Sequence, residues 1–206
     1  MNPVKIVIFD CDGVMFESRE ANRRYYNQLL AHFGHPPMSP EELDYVHVHN
    51  VFASVAHIFR HYDHDLEAVN RYREELGYDD FLKYMTIEPD LVRFLDFLVP
   101  ERKAAISSNR TTTMAQILDI FRLRPYFDQV MTPLNLENPK PHPEAINRIL
   151  AHYGMLKQEA IYIGDSGVDE EHAAAAGVRF IAFRNPALNA EFHVGSFSEV
   201  MDLPIF

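Results

Sequence analysis

Short unbroken apolar runs alternate along this chain with stretches of helical period. Ile6–Phe9 is β-branched or aromatic at every position, so it reads as a central parallel strand buried on both faces. Similar runs predict strands at 103–106, 129–131, 161–163 and Arg179–Phe183, with a weaker one at 193–194. Between the first two strands the pattern is wholly helical. A helix is expected over 18–33, capped by Ser18, with Ala21, Tyr25, Leu29 and Phe33 on one face and Gly34 at its end. Ser39, Pro40 and Glu42 form a start signal for a single long helix carrying Val46, Val51, Val55, Ile58 and Phe59. Asp65 caps a further helix through residue 76, and a shorter one covers 79–85. After residue 88, helices at 89–98, 111–121, 143–154 and 169–176 alternate with the strands, and 198–201 closes the chain.

Alternating strands and helices imply an α/β fold, a doubly wound parallel sheet of about five strands with right-handed crossovers. The helical stretch implies an inserted all-helical domain. The expected division is 1–16 and 88–206 for the sheet domain and 17–87 for the insertion. A length of 206 residues suits one core plus an insertion. The net charge of −11 disfavours nucleic acid or an anionic membrane as partner. With one cysteine, Cys11, the chain has no internal disulfide to form, and neither a signal-peptide layout nor a membrane span is legible. A cytoplasmic protein is expected. Oligomeric state is not legible.

The chemistry is concentrated where strands end. Asp10 and Asp12 follow the first strand directly, at the sheet edge where open α/β folds bind ligands, and Gly13 lets the chain leave without a Cβ in the way. Two adjacent carboxylates call for a hard divalent cation, Mg²⁺ first. A calcium loop is excluded because its pattern requires Glu twelve positions along, where Ala21 stands. Later strand ends and loops add the hydroxyls of Ser107 and Ser108, the ammonium of Lys140, and the acids Asp165 and Asp169. Singly these read as a helix-start residue, a solvated loop charge and a cap. Together they form a phosphate site with metal, hydroxyl donor, ammonium and nucleophile.

DCDGV at 10–14, Ser107 in AAISSN, Lys140 in PKPHPE and IGDSGVDEEHAAAAG at 163–177 make the chain resemble the haloacid dehalogenase superfamily of hydrolases. The resemblance covers essentially the whole chain. It implies a Rossmann-like core, and a small helical cap of the kind found in phosphoglycolate phosphatases and β-phosphoglucomutases. It also implies roles. Asp10 becomes the nucleophile that forms an aspartyl phosphate, and Asp12 the acid and then base, titrating above an ionised Asp10. Ser107 donates to a phosphoryl oxygen, with Ser108 open as the alternative and Asn109 beside it. Lys140 offsets charge. Mg²⁺ is held by Asp10, the Asp12 carbonyl and Asp165, with Asp169 acting directly, through water, or as a partner to Lys140. Glu17 departs from the usual aspartate at the cap hinge.

The reading is an Mg²⁺-dependent phosphatase acting on a small phosphorylated metabolite, with Arg19, Arg23, His47, His49 and Asn50 of the cap as candidates to read the leaving group. A β-phosphoglucomutase-type phosphomutase is the nearest alternative, disfavoured by Gly164 where mutases tend to carry an acid. A non-catalytic binding protein has no need of both Asp10 and Asp12. A zinc site at His57 and His61, four apart on a helix, lacks the glutamate of a zinc hydrolase motif.

Overall fold

The computed structural model describes residues 3–111 and 113–206. It divides into two compact units, one of Met1–Phe16 with Ile87–Phe206 and the other of Glu17–Thr86.

The first unit is built on a six-stranded sheet in which every pairing is parallel. In chain order its strands are β1 (Ile6–Phe9), β4 (Lys103–Ser107), β5 (Phe127–Met131), β6 (Ala160–Gly164), β7 (Arg179–Phe183) and β8 (Phe192–Val194). The spatial order β5-β4-β1-β6-β7-β8 puts β1 at the centre, between the strands that end in Ser107 and Gly164. Register is tight there. Phe9 lies opposite Ile106 on one side and Ile163 on the other, and the Asp10 amide still donates to the Ile163 carbonyl at 2.9 Å. Asp10, the first residue beyond β1, is therefore level with Ser107 and Gly164, the last residues of β4 and β6.

Both faces of β1 are buried, which is why it is apolar throughout. One face, with Ile6, Ile8 and Tyr162, packs on Ala145, Ile146, Ile149 and Ala173 from α7 (Glu144–Tyr153) and α8 (Gly167–Ala176). The opposite face is aromatic. Phe9 meets Phe94 of α5 (Leu91–Leu98), Phe127 of β5 and Phe197 of α9 (Phe197–Met201) with ring centroids 5.9–6.0 Å apart. Fully burying each such side chain contributes about 1.5–3 kcal/mol. The sixth strand and α9 answer the weak tail signals. The remaining helix of this unit, α6, begins at Met114 rather than 111, and residue 112 lies outside the described residues.

The second unit holds α1 (Arg19–His32), α2 (Pro40–Val48), α3 (Val51–Ile58) and α4 (Leu66–Leu76), followed by a 3₁₀ turn at Asp79–Tyr84. The chain enters and leaves it through two-residue strands, β2 (Phe16–Glu17) and β3 (Thr86–Ile87), which pair. Ser18 stands at the N-cap of α1 but makes no capping bond; Glu17 accepts the Arg19 amide at 2.9 Å instead. The capping box at Ser39 and Glu42 forms as expected, with bonds of 3.2 and 3.0 Å. The single long helix expected after it is two helices. His49 is extended, and Asn50 begins α3 by accepting the Phe52 and Ala53 amides, each at 3.1 Å. Apolar spacing runs on across that break, and the capping amide is what divides it. Among the described residues no helix is long and apolar enough to cross a membrane.

Replacing the cap, Asn50→Ala, leaves both amides of α3 without their acceptor and is expected to cost about 1 kcal/mol. Urea unfolding followed by circular dichroism measures it, as a lower midpoint with an unchanged slope.

Candidate active site

Asp10 and Asp12 leave the end of β1, and the turn that follows brings Gly13 to a φ of +77°. A side chain cannot stand there. A Cβ on Gly13 would lie 2.0 Å from Asp165 Oδ2, and one on Gly164 would lie 2.3 Å from the Asp169 Cβ. Gly13 lets the turn after β1 close on Asp165, and Gly164 lets Asp169 of α8 fold back onto the end of β6. Carboxylate oxygens of Asp10, Asp165 and Asp169 consequently fall within 4.8 Å of one another.

Lys140 joins this group from the loop after β5. Glu144, in the first turn of α7, accepts the amides of Glu137 and Asn138 at 3.2 and 2.8 Å, which fixes the loop just ahead of the lysine. The ammonium has three N–H groups, and each has an acceptor: Asp10 Oδ1 at 2.6 Å, Asp169 Oδ1 at 2.7 Å and the Tyr162 hydroxyl at 3.0 Å. The one proton of Tyr162 has two acceptors in reach, the Ser107 carbonyl at 2.9 Å and Asp169 Oδ1 at 3.0 Å.

Asp169 is positioned by its own helix. Ser166, not Asp165, is the N-cap of α8, which starts at Gly167. Its hydroxyl donates to Asp169 Oδ2 at 2.6 Å. Both oxygens of Asp169 are thus engaged, one with Lys140 and one with Ser166, which makes it the partner that holds the lysine. Asp165, relieved of capping, presents its carboxylate toward Asp10.

The electrostatics follow from burial. Desolvation, opposed by Lys140 but reinforced by the charges of Asp169 and Asp12, pushes the Asp10 carboxyl up to about 7. Burial, with Asp169 and Asp10 beside it, raises Asp165 to about 8. Asp169 is lowered in spite of its burial, because Lys140, Ser166 and Tyr162 all favour its anion. Lys140 is buried too, yet Asp10 and Asp169 raise it well above the ordinary lysine range. Among the protein's own groups, burial and the charges of Asp169 and Asp12 outweigh the one ammonium at Asp10. A divalent cation held by Asp10 and Asp165 would reverse that balance, and the all-oxygen donor set is that of a hard cation. The donors fit the ion. Cys11, buried between the acids, has its thiol pushed well up by burial and by Asp12 and offers no thiolate.

The two serines divide their work. Ser107 Oγ is buried 3.0 Å from His172 Nε2, and burial together with the Lys140 charge brings that imidazole down to about 4, so it is neutral at pH 7. Ser108 Oγ accepts the Arg110 amide at 3.1 Å, which leaves its proton to give. Arg110 then reaches back, Nη2 lying 2.6 Å from Asp12 Oδ1 and Nη1 3.2 Å from Thr113 Oγ1. Asn109, between them, is half-buried.

In the helical unit, Arg19 is ion-paired to Asp44, and Arg23 makes a two-pronged bond to Glu20 at 2.7 and 2.8 Å. His47 is half-buried, and Asn50 serves as the α3 cap. His57 does not join His61. It stacks on Tyr45 with ring centroids 3.7 Å apart, and His49 stacks on the same ring at 3.8 Å. Among the described residues the one group of three suited to a metal is the Asp10, Asp165 and Asp169 cluster.

Four participants escape sequence reasoning: Tyr162, Ser166, His172 and Arg110. A tyrosine in the middle of a two-face-buried strand was itself a signal, because its hydroxyl needs a partner. Ser166 with Asp169 three residues on has the spacing of a capping pair. Arg110 carries no signal of its own, since a lone arginine in a loop reads as solvated.

This geometry has known counterparts. A family model described as haloacid dehalogenase-like hydrolase matches residues 7–183. The chain is 27% identical to a phosphoglycolate phosphatase of Chromobacterium violaceum, over 97% of this chain and 96% of that one. It is 24% identical to the pyrophosphatase PpaX of Bacillus pumilus, over 85% and 81%. Among solved structures, a hydrolase of the same superfamily, subfamily IA, from Geobacter sulfurreducens is 35% identical and superposes with a TM-score of 0.85, covering 97% of this chain and 98% of its own. A β-phosphoglucomutase from Clostridium difficile, 20% identical, shares the fold with a TM-score of 0.84, over 96% and 93%.

Two outcomes test the network. Lys140→Met strands two buried acids, and its expected cost is about 3 kcal/mol at pH 7; denaturant unfolding measures it. His172 is held neutral when folded but titrates near 6.5 when unfolded, so the unfolded chain binds more protons between about 6.5 and 4. Its contribution is complete above pH 6.5 and is lost as pH falls toward 4. His172→Gln is expected to flatten the fall in thermal midpoint over that interval, and an unchanged slope would contradict the assignment.

Proposed function

The chain belongs to the haloacid dehalogenase-like hydrolase family, and from that premise we propose that it is an Mg²⁺-dependent phosphatase of small phosphate monoesters working through an aspartyl phosphate. The observation that carries the reading is Asp10: a carboxylate at the end of the central strand, 2.6 Å from a buried ammonium and with an oxygen within 4.8 Å of one on Asp165. The names of its relatives, phosphoglycolate phosphatase and pyrophosphatase, support the reaction class.

Asp10 and Asp165 would hold Mg²⁺, which when bound neutralises negative charge on the phosphoryl oxygens and keeps Asp10 ionised. A carboxylate oxygen of Asp10 forms a bond to phosphorus as the ester oxygen departs, taking a proton from Asp12. Asp12 then removes a proton from the water that attacks phosphorus, and Asp10 leaves as carboxylate. Lys140 lies against Asp10 throughout, so it offsets charge on the attacking oxygen and the phosphoryl group together. Ser107 or Ser108 donates to a phosphoryl oxygen; Ser108 Oγ accepts the Arg110 amide and so keeps its own proton to give. Asp169 contributes by holding Lys140.

Phosphate release from p-nitrophenyl phosphate and a panel of small esters checks the proposal. Turnover is expected with Mg²⁺, to vanish on chelation, and to fall at least about 10³-fold in Asp10→Asn. Undiminished turnover in that variant would overturn it.

A further inference from the structure

Of the three clustered acids, Asp10 and Asp169 are bonded to Lys140, whereas no hydrogen bond among the described residues reaches the Asp165 carboxylate. Its direction is therefore set by the backbone that carries it. One side chain grips that backbone. Asn185, in the loop that follows β7, donates from Nδ2 to the Asp165 carbonyl at 2.7 Å. Gly164, the last residue of β6, lies opposite Ala182, and β7 runs on to Phe183, which brings the loop past the Asp165 peptide. The amide is oriented by its other end. Oδ1 accepts the Ala187 amide at 3.2 Å, which leaves Nδ2 as the atom facing Asp165. The loop is itself fixed. Arg184 stands at a φ of +53°, a conformation that a residue with a side chain keeps only when its surroundings impose it. They do so here: its amide donates to the Val194 carbonyl at 2.8 Å, its Nε to the Gly195 carbonyl at 2.9 Å, and both terminal nitrogens to the buried Glu88. Asn189 ties the far end of the loop to α8, its amide donating to Glu170 at 3.1 Å.

We propose that Asn185 is a positioning residue for the divalent cation: by holding the Asp165 carbonyl it aims the Asp165 carboxylate at the place where the ion is held with Asp10. The inference rests on the metal-dependent reading of the site and adds to it a residue from outside the acidic cluster. Asn185 acts through Asp165 alone. A donor set binds well only when its members are held within about 0.5 Å of the required geometry. Asp10 has Lys140 for that purpose, and Asp165 has Asn185. A neutral amide suits the task. A lysine or arginine in its place would repel the cation, and a carboxylate would add charge to a cluster in which burial and like charge already raise Asp10 and Asp165. Hydrogen bonds that orient a metal's ligands from behind are worth about 10–100-fold in affinity.

The test titrates Mn²⁺, which takes the same oxygen donors as Mg²⁺, into the full-length protein without substrate and counts the free ion by electron paramagnetic resonance. The site that matters is the tight one lost in Asp165→Asn. Asn185→Ala is expected to weaken binding there by about tenfold, and Asn185→Gln, which keeps the N–H donor on a longer arm, to recover part of the loss. The Mg²⁺ concentration for half-maximal release from p-nitrophenyl phosphate rises by the same factor, while kcat at saturating Mg²⁺ changes by less than about twofold. A merely structural role would lower the thermal midpoint of the metal-free protein and leave the affinity of the folded protein unmoved. Mn²⁺ affinity in Asn185→Ala equal to that of the wild type overturns the proposal, as does a fall in kcat that saturating Mg²⁺ does not restore. Should Asn185→Ala not fold, Asn185→Ser, polar but without an amide to offer, gives the same comparison. If the wild type binds no Mn²⁺ at a site sensitive to Asp165, the metal-dependent reading itself has failed, a result distinct from equal binding by wild type and variant.

Discussion

The site depends on one buried ammonium shared between two carboxylates. Lys140 is nearly inaccessible, as are Asp10 and Asp169, with side-chain exposures of 3%, 10% and 1%. Taking such charges out of water costs several kcal/mol per ion, and a well-packed apolar group of the same volume would often give a more stable protein. The arrangement makes sense as preorganisation: the lysine's donors are aimed before any substrate arrives, so no solvent has to reorganise around Asp10 when charge develops there. Asp169 exists in this scheme to hold Lys140, and Ser166 to hold Asp169. The chain of support runs from a helix cap to the attacking oxygen.

The parallel sheet makes the convergence possible. Because β1 pairs in register with both β4 and β6, Asp10 emerges level with Ser107 and Gly164, and acids more than 150 positions apart in sequence meet. Gly13 leaves space for Asp165, and Gly164 for Asp169. The cost of that closeness is electrostatic, seen in the raised Asp10 and Asp165 carboxyls, and it is the reason a divalent cation belongs to the site as much as the side chains do.

Much of this was legible in the sequence, for identifiable reasons. Strands buried on two faces announce themselves as short apolar runs, and all five came through, with β7 at its stated bounds and β8 as the weak sixth. Acids immediately after such a run are conspicuous, so Asp10, Asp12 and Asp165 stood out. Helix ends were less readable. A continuous apolar stripe hid the break between α2 and α3, because the signal for it is a single asparagine whose amide competes with the backbone. Asp165 looked like a cap because any acid ahead of an alanine-rich stretch does, and only the observed bonds reveal that Ser166 does that work. Ser107 and Ser108 are identical in type and adjacent, so which one meets His172 follows from the facing of β4 and from a histidine 65 residues away. Arg110 was invisible for the same reason: its meaning comes from Asp12, 98 residues earlier.

The central claim is that Asp10 forms the bond to phosphorus. Rapid acid quench of the Mg²⁺-loaded enzyme during turnover, followed by borohydride reduction and peptide mass spectrometry, tests it directly. The account predicts conversion of Asp10 to homoserine, with Asp12, Asp165 and Asp169 unmodified. Steady phosphate release with Asp10 unaltered at every quench time, or with reduction at another carboxylate, would contradict it.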